Sequence, residues 1–286
     1  MKLRTLLELG RVSNLPTVWT NMTAGWLLGG GGAPELAFWL TLLGGSLLYL
    51  AGMAMNDACD AGWDKQHKGD RPIVQGLVSR NVVWILTLIY GIGGAAAAIF
   101  GGGACPYLVG GLAIAITLYN VLHKHWAGST WFMGSCRWLL YVVAGSAAAD
   151  GGMPSTEALI WGGALGLYVV GLTYVARGES TGASLIRWPL ALLAAPAICS
   201  ISFAIYHWKL WALVFTAIFA AWVIRALLIL KSGENKARIG KAVGWLLAGM
   251  VIIDALAVSA GWPYLALLLV VCCPLLILFQ RIVAAT

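Results

Sequence analysis

The stretch LAFWLTLLGGSLLYLAGMAM (residues 36–55) runs without a charge and is followed at once by NDACDAGWD (56–64), which carries three aspartates. A spanning helix needs about 20 apolar residues, so the first stretch has the length to cross a bilayer core. In the second, Asp57, Asp60 and Asp64 stand three and four residues apart, with Asn56 alongside. Those intervals place side chains on one face of a helix. Together the two stretches predict a transmembrane helix whose emerging end carries a row of carboxylates.

Similar apolar runs recur outward from this one, near 15–31, 82–101, 104–121, 131–149, 157–175, 188–206, 210–230, 241–260 and 263–283. The chain thus reads as about ten spans. In lipid the backbone polar groups find no water, so each run must be a helix; the short alternating segments of a closed barrel are absent. Composition agrees. Of 286 residues, 60% are hydrophobic and 10% charged, with a mean hydropathy of +0.85, whereas an average soluble domain carries about 25% charge. A soluble enzyme, a disordered tail and a nucleic-acid module are excluded. The expected class is an all-α, polytopic transmembrane protein forming a single integral-membrane domain over 1–286, with the lipid bilayer as its partner and no nucleic acid.

The net charge of +7 is read as loop orientation. With the N-terminus inside, every Lys and Arg except Lys209 falls on the inner side. The positive-inside rule then puts both termini in the cytoplasm, in an inner membrane, and tight turns such as Gly101-Gly102-Gly103 and Asp150-Gly151-Gly152 outside. The inner segments, near 57–80, 122–130, 176–187 and 231–241, hold nearly all residues capable of chemistry. The N-terminus does not read as a signal peptide, because Glu8, Arg11 and Asn14 interrupt any apolar core. The six cysteines show no CxxC spacing and read as small buried hydrophobes.

Three carboxylates so close at a low-dielectric boundary repel one another strongly, so a cation should hold them. Carboxylates suit Mg2+, which keeps waters and takes phosphate oxygens. The bases that follow, Lys65, His67, Lys68 and Arg71, suit the remaining charge of a metal-bound diphosphate. A solvated mixed-charge loop is the plainer alternative. The helical register of the acids and the poverty of charge elsewhere count against it.

At these residues the chain resembles the UbiA superfamily of intramembrane prenyltransferases, whose first signature is Asn-Asp-x-x-Asp-x-x-x-Asp after the second helix. Arg11-Val12-Ser13-Asn14-Leu15-Pro16-Thr17 is similar to the start of that family's first helix. Asp70-Arg71-Pro72-Ile73 with Gly76 is similar to the run after its first motif, and Tyr119-Asn120, His123-Lys124 and Gly134 with Cys136-Arg137 to its fourth and fifth helices. The resemblance covers roughly 10–190.

The resemblance implies a bundle of about nine to ten helices around a central cavity opening to the cytoplasmic face. Asn56, Asp57, Asp60 and Asp64 would be catalytic, the three aspartates holding Mg2+ and the diphosphate of a polyprenyl diphosphate donor. Lys68, Arg71, Lys124 and Arg137 would grip the phosphates. The donor's allylic diphosphate would ionise, and a small-molecule acceptor would attack the carbocation. Tyr119, Asn120 and Tyr174 would line the substrate pocket.

The family's second motif, Asp-x-x-x-Asp, is absent. With Tyr174 as the matching tyrosine, Gly178 and Gly182 stand where the acids belong, and the stretch carries only Glu179. The degenerate stretch, with its Ala176-Arg177-Gly178-Glu179-Ser180 string, is similar to the EboC-like branch of the superfamily; on one reading a single Mg2+ serves and Arg177 replaces a second metal's charge. A divergent or non-catalytic diphosphate-binding protein is the other reading.

Some residues remain open between two roles. Asp254 sits mid-span in Val251-Ile252-Ile253-Asp254-Ala255-Leu256, where a carboxylate costs about 2.5–3.5 kcal/mol on insertion scales; it points into the cavity or bonds a neighbouring helix. Asn14, Thr17 and Asn21 share one face of the first span and either line the acceptor site or bond between helices. His123 and His125 contact phosphate or face solvent. Two other classes fit the sequence less well. CDP-alcohol phosphotransferases need an Asp-Gly-x-x-Ala-Arg continuation and a later acid pair, both missing. A lipid-precursor carrier would suit the one midplane charge, but no repeat between halves is visible.

Overall fold

The computed structural model describes residues 3–67, 69, 71–181, 188–207, 209, 212–231 and 236–282. Among them there are eleven α-helices and no strand: α1 (Leu3–Leu9), α2 (Leu15–Leu28), α3 (Leu36–His67), α4 (Arg80–Ala96), α5 (Pro106–Leu122), α6 (Thr130–Ala148), α7 (Thr156–Thr181), α8 (Ala195–Tyr206), α9 (Ala212–Lys231), α10 (Lys236–Val258) and α11 (Pro263–Ile282). Each apolar run coincides with a helix, α4 being extended by a π turn (Ala97–Gly101) and α8 preceded by a 3-10 segment (Trp188–Ala194). Seven helical stretches are long and apolar enough to cross a membrane; α5, α2 and α6 are not among them, α5 and α2 being shorter.

Local chemistry sets the helix starts. Pro16 and Pro106 occupy the first turns of α2 and α5, where the missing N–H has no intrahelical partner to lose. The Ser79 hydroxyl accepts from the Val82 N–H at 3.3 Å and caps α4. Two helices run further than the hydropathy suggested. α3 continues to His67 and α7 to Thr181, because neither stretch meets a proline until Pro72 and Pro189. The three aspartates and Arg177 therefore belong to helices, and the inner connections are shorter than expected.

Burial separates inner helices from outer ones. In the most apolar window of α7 and of α10, 72% and 78% of residues are buried, against 17% for α4 and for α11. α10 therefore runs through the interior, packed on α2, α7, α9 and α11. Outward, α4 exposes Ile85, Leu88, Ile89 and Ile92, and α11 exposes Leu267, Leu268, Val271 and Leu275. Faces this apolar belong in lipid, since water would penalise them.

Without a hydrophobic force between helices in lipid, close approach depends on small residues. At the α2–α6 crossing, Gly25 lies against Tyr141 and Gly29 against Gly145; at the α6–α7 crossing, Gly134 lies against Gly166. A Cβ on Gly25 would sit 2.3 Å from the Tyr141 carbonyl oxygen, whereas one on Gly163 would meet nothing within 4 Å. Gly25→Ala should therefore destabilise the protein by about 1–3 kcal/mol through overpacking. Gly163→Ala should be neutral or stabilising by about 0.5–1 kcal/mol, since alanine suits a helix better. Thermal unfolding of the purified protein checks both, and an unchanged midpoint for Gly25→Ala would contradict a closed α2–α6 contact.

Candidate functional site

The last turns of α3 bring Asn56, Asp57, Asp60 and Asp64 together on a buried face, with Asp57 and Asp64 each 3% exposed and Asp60 7%. A helix C-terminus carries partial negative charge, so acids there are unfavourable without cations. Separate partners meet them. The Asp57 Oδ1 accepts from the Arg11 Nη2 at 3.0 Å and lies 4.0 Å from the Arg71 Nη1. The Asp60 Oδ2 lies 3.1 Å from both the His123 Nε2 and the Lys124 Nζ.

The cations are held in turn. Arg11 has a left-handed backbone (φ 42°, ψ 51°) between α1 and α2, a conformation a non-glycine residue adopts only when its surroundings impose it. Its Nη2 also donates to the Asn56 Oδ1 at 2.9 Å, and its carbonyl accepts from the Tyr49 hydroxyl at 3.2 Å. Asn56 donates to the Asn120 Oδ1 at 3.1 Å. The His123 Nδ1 lies 3.1 Å from the Asn120 carbonyl, so both ring nitrogens face acceptors, and both contacts are hydrogen bonds only when the ring is doubly protonated. Arg177 donates to the His123 carbonyl. The Lys124 ammonium stands 3.9 Å from the centroid of the Trp63 ring, a cation–π contact that fixes its direction.

Beside this cluster lies a cavity of about 430 Å³. Its mouth is polar, with Arg11, Asn56, Asp60, Arg71, Asn120 and Lys124; its depth is apolar, with Leu112, Ile116, Leu140, Val169, Leu172 and Met250 from α5, α6, α7 and α10. Tyr119, Asn14 and Arg137 also line it.

Three expected pocket residues are not in its wall. Tyr174 packs on Trp188 with ring centroids 5.7 Å apart, because the continued turn of α7 carries it to the side facing the 3-10 segment. Asn21 and Asp254, both fully buried, form a bridge between helices. Asn21 donates to both Asp254 oxygens at 2.8 and 3.0 Å, the Tyr141 hydroxyl donates to Asp254 at 2.9 Å, and the Arg137 Nη1 donates to the Asn21 Oδ1 at 2.9 Å. For Asp254 the helix-bonding role is thus the one observed. Arg137 touches this bridge rather than the aspartates of α3. Lys68 and the side chain of Glu179 lie outside the described residues. Arg11 and Trp63 were not foreseen as site residues; a base four residues before the first span of a charge-poor chain was the available signal for Arg11.

Among the described residues no three of His, Cys, Asp and Glu come together as a metal-holding group. The donor set nonetheless fits a hard divalent ion. The Asp57 Oδ2 is buried with no hydrogen-bond partner, which is costly for a carboxylate oxygen unless a cation meets it.

The sequence profile of the UbiA prenyltransferase family matches residues 17–242. No curated protein sequence matches the chain. Among solved structures, an apo UbiA homologue from Aeropyrum pernix K1 is similar with a TM-score of 0.69 at 20% identity, covering 86% of this chain and 98% of that one. A structure described as concerning digeranylgeranylglyceryl phosphate synthase in membranes has a TM-score of 0.65 at 21% identity, over 90% of this chain and 97% of that one. A UbiA homologue from Archaeoglobus fulgidus bound to DMAPP and Mg2+ has a TM-score of 0.53 at 17% identity, over 97% and 98%. At such identities the likeness speaks for the fold.

The buried bridge yields a stability test. Asn21→Ala removes the amide between Arg137 and Asp254 and should cost about 1–3 kcal/mol, the penalty of leaving buried polar groups unsatisfied, whereas Tyr141→Phe should cost about 0.5–1.5 kcal/mol. Unfolding midpoints of the two variants should fall in that order; no loss for Asn21→Ala would mean that the bridge carries no stability.

Proposed function

The chain belongs to the UbiA prenyltransferase family, and from that premise we propose that it moves an isoprenyl group from an allylic polyprenyl diphosphate to a small acceptor within the membrane. The observation that carries this reading is the polarity of one cavity: the buried Asp60 with Arg11, Arg71 and Lys124 at the mouth, Asp57 paired with Arg11 just behind that wall, and apolar side chains at depth. A diphosphate head fits the mouth and an isoprenoid tail the depth.

The roles follow from placement. Asp57, Asp60 and Asp64, with Asn56 beside them, would hold Mg2+, which supplies Lewis-acid neutralisation of the leaving diphosphate. Arg71 and Lys124 would donate to phosphate oxygens, where stabilisation counts most as negative charge grows on ionisation. Lys68 is assigned the same part from the sequence. The apolar depth would exclude water from the carbocation. Tyr119, Asn120 and Asn14 would border the acceptor. That an Archaeoglobus homologue of the same fold is bound to DMAPP and Mg2+ supports a prenyl diphosphate and Mg2+ as the ligands.

We extend the topology in the same terms. The whole of 1–286 would be one integral-membrane domain with α2 to α11 crossing the bilayer, ten spans in all, α2 and α6 being largely buried by their neighbours while α5 turns Tyr107, Ile114 and Val121 outward. Both termini and the cavity mouth would face the cytoplasm, since Arg11, Lys65, Arg71, Arg80 and Lys124 gather at that end.

Asp57→Asn and Asp60→Asn should each lower turnover of a labelled isoprenyl diphosphate by at least about a hundredfold, as loss of a preorganised electrostatic partner does. The measurement is mass spectrometry of the lipid product from membranes given a panel of donors with Mg2+. Undiminished turnover in either variant would remove the assigned role. Binding of a donor without its consumption by the unaltered protein would favour a carrier of the same head group.

A further inference from the structure

The cavity ends well before the helices that form it. Farthest from the mouth it is lined by Leu48 of α3, Leu112 of α5, Leu140 of α6, Val169 of α7 and Met250 of α10. Each of these is at most 5% exposed, so the depth is closed at its sides. The wall around them is continuous: α3 packs on α5, α5 on α6, α6 on α7, α7 on α10, α10 on α2 and α2 on α3.

The space beyond this ring is filled. On the next turn of α3 a Cβ on Gly45 would collide with the Met22 Sδ and fall 3.3 Å from the Leu140 Cδ2. Tyr141 follows Leu140 on α6, and Asp254 stands one turn past Met250 on α10. Both belong to the hydrogen-bonded bridge with Asn21 and Arg137. The bridge therefore underlies the ring of apolar side chains.

We propose that this bridge is the floor of the isoprenoid site and sets the length of the donor: allylic diphosphates of two or three isoprene units are accepted, and those of four or more are refused. The inference rests on the prenyl-diphosphate reading above and narrows it to a class of donor.

Length comes first. From Asn56 at the mouth to Leu48 at the floor, α3 runs eight residues, which at about 1.5 Å each is about 12 Å. Three backbone atoms of an extended peptide span about 3.3–3.6 Å, so the four chain carbons of an isoprene unit span about 4.5 Å. The depth thus holds between two and three units. The volume of about 430 Å³ agrees, lying in the lower part of the range of about 300–1,000 Å³ that encloses small ligands.

Rigidity comes second. An apolar side chain of the ring can change rotamer, but a longer tail would then meet polar groups that satisfy one another across three helices. Parting them leaves buried donors and acceptors without partners. Attraction does not offset this, because a tail in lipid already lies among hydrocarbon and gains little by entering an apolar cavity. Exclusion by the floor is what tells donors apart.

The test is a length series. The full chain in lipid nanodiscs with Mg2+ is given non-ionising thiolodiphosphate analogues of allylic diphosphates with five, ten, fifteen, twenty and thirty carbons. Dissociation constants are measured by calorimetry against empty nanodiscs. The ten- or fifteen-carbon analogue should bind best, and the twenty- and thirty-carbon analogues at least about tenfold more weakly. Met250→Phe, which raises the floor, should weaken the fifteen-carbon analogue at least about tenfold more than the five-carbon one. Asn21→Ala, which removes the amide between Arg137 and Asp254, should bring the twenty-carbon analogue to within about threefold of the fifteen-carbon one. Affinity that holds or rises through twenty and thirty carbons in the unaltered chain would overturn the length limit. An unchanged gap in a folded Asn21→Ala protein would take the floor away from the bridge. If that variant does not fold, Met250→Phe still decides, since equal weakening of short and long analogues would mean that the floor lies elsewhere. Failure of the unaltered, folded chain to bind any analogue with Mg2+ would instead overturn the prenyl-diphosphate reading itself.

Discussion

The ion pairing at the end of α3 is the constraint on which the rest of this structure depends. Asp57 and Asp60 are buried on the last turns of a helix whose own dipole opposes them, at the edge of a low-dielectric slab. Leaving one such charge without its partner costs about 3–5 kcal/mol. The chain meets this by recruiting cations from separate places: Arg11 from the break before α2, Arg71 from the connection after α3, and Lys124 with His123 from the end of α5. Each contact also fixes a helix end. Arg80, at the start of α4, adds a bond to the Ala58 carbonyl at 2.8 Å. The mouth of the cavity is therefore tied together by the same groups proposed to act there, and the left-handed backbone of Arg11 is a sign of how strongly its position is imposed.

Hydropathy made the helices legible, and periodicity made the acid face legible, because in lipid both the length of a span and the side its charges take are dictated by the solvent. The bases close to the acids in space were legible where they followed a motif, as with Arg71 and Lys124. Arg11 offered only its place as a base ahead of the first span, because its approach to Asp57 is set by a local backbone turn that the sequence does not spell out. The rotation of a helix about its axis was equally hidden. Tyr174 has the spacing of a pocket residue, yet α7 turns it toward Trp188. Asp254 could be given a depth in the membrane but not a partner, since Asn21 lies 233 residues away and Tyr141 lies 113. Helix ends suffered in a related way: polar composition at 57–67 and 176–181 suggested connections, but with no proline or turn to stop them the helices ran on.

The buried bridge explains how a charged mouth and an apolar depth can share one cavity. Arg137 lines that cavity and is itself 8% exposed. An unpaired guanidinium at this level would draw in water or a counter-ion and make the depth inhospitable to hydrocarbon. Asn21 prevents this by accepting from Arg137 on its oxygen and donating to Asp254 through its nitrogen, so the two opposite charges are joined through a neutral amide. Tyr141 satisfies Asp254 from the other side. These groups come from α2, α6 and α10, and α2 and α6 are the helices that cross most closely at glycine. Small residues let the backbones approach, and the approach brings a polar bridge within hydrogen-bonding reach. With the midplane groups joined in this way, the remaining bases of the cavity, Arg11, Arg71 and Lys124, stand together at the mouth, where an anionic head group would need them.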